Sequence, residues 1–297
     1  MSHQKSSEYA SDVFNLRVDL QADHPEVVLL KQLSTTGCAV LSNHNVPVNL
    51  LKEIIEEWSR FFASNDKHHW LRTDETDEGF IPVNIEAAKK NEIADYKELY
   101  QTHYKGQYPA NVNIKLTTKL FDAIVALGGH LFSLLDIALP NSVKSNLLTP
   151  LPKMVRDSNN HLIRIIHYPP IERGVNIPRA APHTDICLFT IVFADTFNGL
   201  ELQNQDGHWY EPPMEKNDLV VFNSEMLEIA TNDFFKAVVH RVKANPNSRT
   251  DSRYSIPIGF HPLRNVELKS GLTAAQHLRN RLNEMGYDGD PLNLRDH

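Results

Sequence analysis

Leu162-Ile163-Arg164-Ile165-Ile166-His167-Tyr168, Asp218-Leu219-Val220-Val221-Phe222-Asn223 and Ala237-Val238-Val239-His240-Arg241-Val242 decide the fold class of this 297-residue chain. Each is a short apolar run bounded by turn residues, the pattern of a buried strand. Similar runs stand at 185–193, 199–204 and 254–260, and Asp206-Gly207 is a hairpin-turn signal just before Trp209. Many short strands at such spacing between 161 and 262 predict a mainly β core, a sandwich or barrel.

Outward from that core, 13–140 reads as a mixed, then helical, accessory region. Cys38-Ala39-Val40-Leu41 after Gly37 reads as a strand. From Pro47 the apolar positions recur at three- and four-residue steps (Leu51, Ile54, Ile55, Trp58, Phe61, Phe62), one buried helical stripe. Leu116, Leu120, Ile124, Leu127, Leu131 and Leu135 predict a longer helix that Pro140 ends. Gly128-Gly129 inside it costs roughly 1 kcal/mol per glycine in helix propensity, so close packing or a kink is expected there. Beyond the core, 263–297 carries a helix over 273–285, with Thr273 as N-cap, Gly286 as stop and Leu278, Leu282 and Met285 as its buried stripe. Residues 1–12 read as a flexible tail, and 13–297 as a single domain flanking its β core with helices.

Composition excludes several classes. Lys and Arg number 30 against 37 Asp and Glu, a formal charge of −7, so the basic surface that nucleic acid needs is missing. No apolar run reads as long enough to span a bilayer. The polar start, Met1 to Ser11, lacks the apolar stretch of a signal peptide. Two cysteines, Cys38 and Cys187, fit a reducing cytoplasm better than a disulfide framework. The expectation is a cytoplasmic protein acting on a small molecule. Its oligomeric state is not legible.

The chemistry centres on Pro182-His183-Thr184-Asp185. At a strand start, His-x-Asp puts imidazole and carboxylate on one face, because strand side chains alternate. Alone the pair carries little weight: with 15 histidines, roughly one His-x-Asp arises by chance at ordinary Asp frequency, and a surface turn or a satisfied polar pair explains it as well. His240, inside an apolar strand, is a third donor, or else a hydrogen-bonded core histidine. Two imidazoles and one carboxylate on one face of an octahedron leave three open positions, as in non-haem iron(II) oxygenases. Further on, Arg253-Tyr254-Ser255 puts a guanidinium and a hydroxyl on one strand face. That pair makes a carboxylate receptor, the alternative for Arg253 being a surface ion pair worth little.

Taken together, the segments resemble the isopenicillin N synthase-like family of Fe(II)- and 2-oxoglutarate-dependent dioxygenases. The resemblance is carried by Tyr168-Pro169-Pro170, Pro182-His183-Thr184-Asp185, Gly199-Leu200, Asp206-Gly207-His208-Trp209, Leu219-Val220-Val221-Phe222-Asn223, Thr231-Asn232, His240-Arg241-Val242 and Arg253-Tyr254-Ser255, in the family's order. Gly37 leading to Asn43-His44, and Asp95-Tyr96-Lys97-Glu98, extend it over most of the chain. It implies a double-stranded β-helix (jelly roll) with flanking helices, the 161–262 core carrying the metal site. It also implies iron(II) on His183, Asp185 and His240, with 2-oxoglutarate and O2 as co-substrates. Arg253 and Ser255 would bind the distal carboxylate of 2-oxoglutarate, and Tyr168 would help to hold it. This chain departs from many plant members in having Ile166 where they carry asparagine.

The activity so implied is hydroxylation of a small polar metabolite with release of succinate and CO2. Two alternatives stand beside it. One is a 2-oxoglutarate-independent iron oxidase, performing cyclisation or desaturation, in which Arg253 and Ser255 grip the substrate's own carboxylate. The other is a jelly-roll binding protein without catalysis. Substrate-contact candidates are Arg164, on the Tyr168 face, Arg179, just before the metal motif, and Phe80, on a covering loop. Cys187 reads as a buried inert thiol, His68-His69 as a surface turn, and Asp95, Lys97 and Glu98 as structural.

Overall fold

The structure, a computed structural model, describes residues 16–73, 77–86, 94–171, 178–194, 199–243 and 252–286. The expected tail, 1–12, lies outside them. In chain order the elements are β1 (Arg17–Asp19), α1 (Pro25–Thr35), β2 (Cys38–Ser42), α2 (Leu51–Ala63), β3 (Gly79–Ile81), β4 (Glu98–His103), α3 (Ile114–Ala138), α4 (Asn141–Lys144) and α5 (Leu151–Val155). Then come β5 (Leu162–Tyr168), β6 (Ala180–His183), β7 (Phe189–Ala194), β8 (Leu200–Gln203), β9 (Trp209–Tyr210), β10 (Leu219–Asn223), α6 (Glu225–Ala230), β11 (His240–Val242), β12 (Arg253–Gly259), β13 (Glu267–Lys269), β14 (Leu272–Thr273) and α7 (Ala274–Met285).

Two sheets face one another. The larger runs β1-β2-β10-β7-β12-β5-β4-β3, the smaller β6-β11-β8-β9. Among the described pairs of strands only β1 with β2 is parallel. The larger sheet is covered on both faces, which explains why its strands read as continuous apolar runs rather than alternating ones. On β10, Leu219 and Val221 point into the main core with the helices, while Val220 and Phe222 point into the space between the sheets. On β5, Ile163 and Ile165 face the helices, whereas Arg164, Ile166 and Tyr168 face an inter-sheet cavity. The strands β1 to β4, from the part expected to be accessory, belong to this same sheet.

The two expected helices form. In α2, Ile54, Trp58, Phe61 and Phe62 are the buried stripe. In α3, Leu120, Ile124, Leu127, Leu131 and Leu135 are buried, and the helix stops before Pro140. This helix is also long and apolar enough, by length and composition, to cross a membrane, which corrects the expectation that no run is. Its charged Lys115, Lys119, Asp122 and Asp136 masked that length in the sequence, and here it is a core helix of the globular fold. Gly128 is a close contact: a Cβ there would fall within the Phe260 ring, while one on Gly129 would meet nothing within 4 Å. At the far end Thr273 and Gln276 form a capping box, and Gly286 closes α7 at φ 89°. The expected buried stripe of α7 is half-buried: Leu278, Leu282 and Met285 line the cavity, and Leu278 also packs against the main core.

Candidate metal centre

β6 ends on His183, β11 begins on His240, and the two are direct cross-strand partners. That register brings the rings within 4.2 Å between centroids, tilted by 49°. Asp185 is not at a strand start, as the alternation argument required. It lies in the turn between β6 and β7, with Oδ1 3.8 Å from His183 Nε2 and 3.9 Å from His240 Nε2. One donor atom from each of the three lies within 4.8 Å of the others.

The surroundings aim these donors. His183 Nδ1 lies 2.8 Å from the Ala181 carbonyl, and His240 Nδ1 3.3 Å from the Val238 carbonyl. A carbonyl only accepts, so each Nδ1 carries the proton and each Nε2 presents its lone pair. Burial pushes His240 down to about 4, with the neighbouring His183 adding to the shift, and burial likewise lowers His183 against the pull of Asp185. Both imidazoles are therefore neutral near pH 7, the ligating form. Burial would raise Asp185, but the imidazoles of His240 and His183 and the Thr190 hydroxyl outweigh it and keep the carboxyl below its usual range. Thr190 donates to Asp185 Oδ2, leaving Oδ1 toward the histidines. Two neutral imidazoles and one ionised carboxylate, with no fourth protein ligand among the described residues, fit an open iron(II) site and not a four-ligand structural zinc. Cys187 is a buried thiol pushed up to about 12, a poor ligand in that state.

His183, Asp185 and His240 open on a cavity of about 320 Å³ between the sheets. Arg253 and Ser255 reach it from one face of β12, paired across the ladder with Tyr168 and Ile166 of β5. Arg253 and Ser255 are 3% and 4% exposed, so a carboxylate bound there would be withdrawn from water. The Arg253 guanidinium lies 4.9 Å from the Tyr168 ring centroid, a cation–π platform that orients it.

Of the substrate candidates, Arg164 is on the cavity, donating from Nε to Gln101 and pairing with Glu86 at 3.2 Å. Arg179 and Phe80 are corrections. Arg179 is buried with its guanidinium 5.9 Å from the Tyr168 ring centroid and does not line the cavity. Phe80 sits on β3 rather than a covering loop, packed against Phe61 and Phe62 in the core. Asp95 and Lys97, read as structural, do line the cavity. Lys97 bridges Asp95 at 2.8 Å and Glu86 at 3.3 Å. Glu98 points the other way, to Lys67 and His167. The signal lay in the two-residue step: 97, 101 and 103 share one face. Glu86, Gln101 and Thr190 were not foreseen at the site, since none stands in a motif, whereas α7 was expected as a helix.

Comparison with known proteins agrees with this geometry. The family model of the 2OG-Fe(II) oxygenase superfamily matches residues 159–262, a range that contains His183, Asp185, His240, Arg253 and Ser255. A crystal structure of a Shewanella oneidensis protein classed as an oxygenase is 30% identical, superposes with a TM-score of 0.81, and the match covers 91% of this chain and 99% of that one. A full-length Neurospora crassa protein, solved in complex with alpha-ketoglutarate, shares the fold at 20% identity and a TM-score of 0.75, over 90% of this chain and 95% of that one. The 1-aminocyclopropane-1-carboxylate oxidase homolog 12 of Arabidopsis thaliana is 28% identical over 212 residues, 68% of this chain. This chain spans only 56% of the length of that relative and of homologs 10 and 11.

Proposed function

Since the chain belongs to the 2OG-Fe(II) oxygenase superfamily, we propose that it hydroxylates a small polar metabolite, coupled to conversion of 2-oxoglutarate to succinate and CO2. The observation that carries the reading is the convergence of His183, Asp185 and His240 on the cavity that also holds Arg253 and Ser255. His183, Asp185 and His240 would hold iron(II), which with 2-oxoglutarate and O2 supplies the oxidising power. Arg253 and Ser255 would clamp the distal carboxylate of 2-oxoglutarate by charged hydrogen bonds, with Tyr168 fixing the guanidinium. The sheets exclude water from the reacting carbon. Gln101, His103, Asn160 and Arg164 make one region of the cavity wall polar, which suits a polar substrate. Free, buried Cys38 and Cys187 suit a reducing compartment, and the cytoplasm is the location proposed.

The test is succinate release from 2-oxoglutarate by the purified chain with iron(II) and oxygen, screened against candidate metabolites. His183→Ala and Asp185→Ala should abolish it, and Arg253→Gln should raise the KM for 2-oxoglutarate. Full turnover in either ligand variant would remove the site. Iron binding without any binding or turnover of 2-oxoglutarate would favour an oxidase that clamps its substrate's carboxylate instead.

A further inference from the structure

Glu225, the first residue of α6, joins two parts of the cavity that no motif connects. Its Oε1 accepts from the Thr184 hydroxyl at 2.6 Å, and Thr184 stands between the ligands His183 and Asp185. Its backbone N–H donates to the Asp185 carbonyl at 2.9 Å. Its Oε2 lies 2.9 Å from Arg281 Nε and 3.1 Å from His277 Nε2, one turn apart on α7. The same helix walls the cavity with Leu278, Arg281, Leu282 and Met285. One carboxylate thus holds the metal loop with one oxygen and the wall helix with the other. A carboxylate bonded by three side chains in a half-buried place has little freedom to follow one partner without moving the others.

The geometry points to Glu225 as a positioning residue that couples the metal loop to α7, so that filling the metal site tightens the helix walling the cavity. This rests on the metal-site reading above. Physical coupling of this kind requires an element whose order both ends bias, and α7 is suited to it, held to the rest of the cavity by a polar anchor and a half-buried apolar stripe.

The test compares the full chain without metal and with Co(II), whose visible absorption reports ligand geometry. In the unmodified protein, Co(II) should slow amide hydrogen exchange across 274–285. Thr184→Val keeps the Glu225 bonds to α7, so metal-free exchange there should match the unmodified protein. Its Co(II)-dependent slowing should shrink to a fraction of that in the unmodified protein, because only the Glu225 backbone bond to Asp185 remains, and its Co(II) dissociation constant should rise roughly tenfold, the low end for loss of an outer-shell partner. Thr184→Ser, which keeps the hydroxyl, should restore both. Glu225→Gln should exchange faster across α7 with or without metal. Full Co(II)-dependent slowing in Thr184→Val would overturn the coupling, as would unchanged exchange in unmodified protein whose Co(II) absorption shows the site filled. Absent Co(II) absorption, or absorption that survives His183→Ala, would overturn the metal-site reading itself and the coupling with it.

Discussion

Thr190 shows how a candidate metal site depends on a residue outside its proposed ligand set. Its hydroxyl fills Asp185 Oδ2, which leaves Oδ1 as the oxygen facing His183 and His240. Thr190→Val keeps the shape and removes that bond, so iron(II) affinity should fall roughly 10–100-fold while the far-ultraviolet circular dichroism stays unchanged. An unaltered dissociation constant would show that Asp185 needs no such orientation. His183, Asp185 and His240 were legible as candidate ligands because imidazole and carboxylate are the residue types iron requires, and their motif survives in short text. Thr190 and Glu225 were not, because a threonine or glutamate reads alike on a surface or beside a metal. Arg179 misled for the converse reason: adjacency to the motif in sequence says nothing about which side of the strand faces the cavity.

Among elements, α3 separates packing from propensity within two adjacent glycines. Gly128→Ala would drive a methyl into the ring of Phe260, which itself packs on Phe189 at 4.9 Å between centroids, and overpacking of this kind costs about 1–3 kcal/mol. Gly129→Ala meets open space and should stabilise by about 0.5–1 kcal/mol through helix propensity and reduced freedom of the unfolded chain. Urea unfolding of the two variants should therefore shift in opposite directions, and a common direction would refute the assignment of the contact to Gly128. Helix and strand periods were readable wherever a run was long and regular, as in α2, α3 and β5. Short β3 and helix α1 were not foreseen, since three residues carry no period and α1 has a weak stripe with only Leu29, Gln32 and Leu33 buried. The strand at 185–193 began later than expected, at Phe189, because Asp185 is turned out of the ladder to face the histidines.

At the scale of the whole molecule, a buried charge network fastens the segment around β3 and β4 to the interior strand β5. Burial alone would raise Glu86, but Arg164 and Lys97 overcome it and bring the carboxyl from 4.5 to about 2. The folded-state value lies below the unfolded one, so this stabilisation is complete above about pH 4.5 and is lost as pH falls toward 2. Glu86→Gln should cost about 3 kcal/mol at pH 7 by leaving Lys97 and Arg164 undercompensated, and the gap from the unmodified protein should narrow steadily between pH 4.5 and 2 in acid unfolding. A gap constant with pH would mean the carboxylate is not the stabilising form. The pairing of β6 with β11 has a different weakness: its register rests on His240 with His183 and Val242 with Ala180, with an irregularity between. An ion held by both histidines would rivet those two strands together. By mass action, metal at 100 times its dissociation constant adds about 2.7 kcal/mol to the folded state. Iron supply would then govern the lifetime of the polypeptide as well as its turnover, and starvation for the metal would be felt first as a loss of protein.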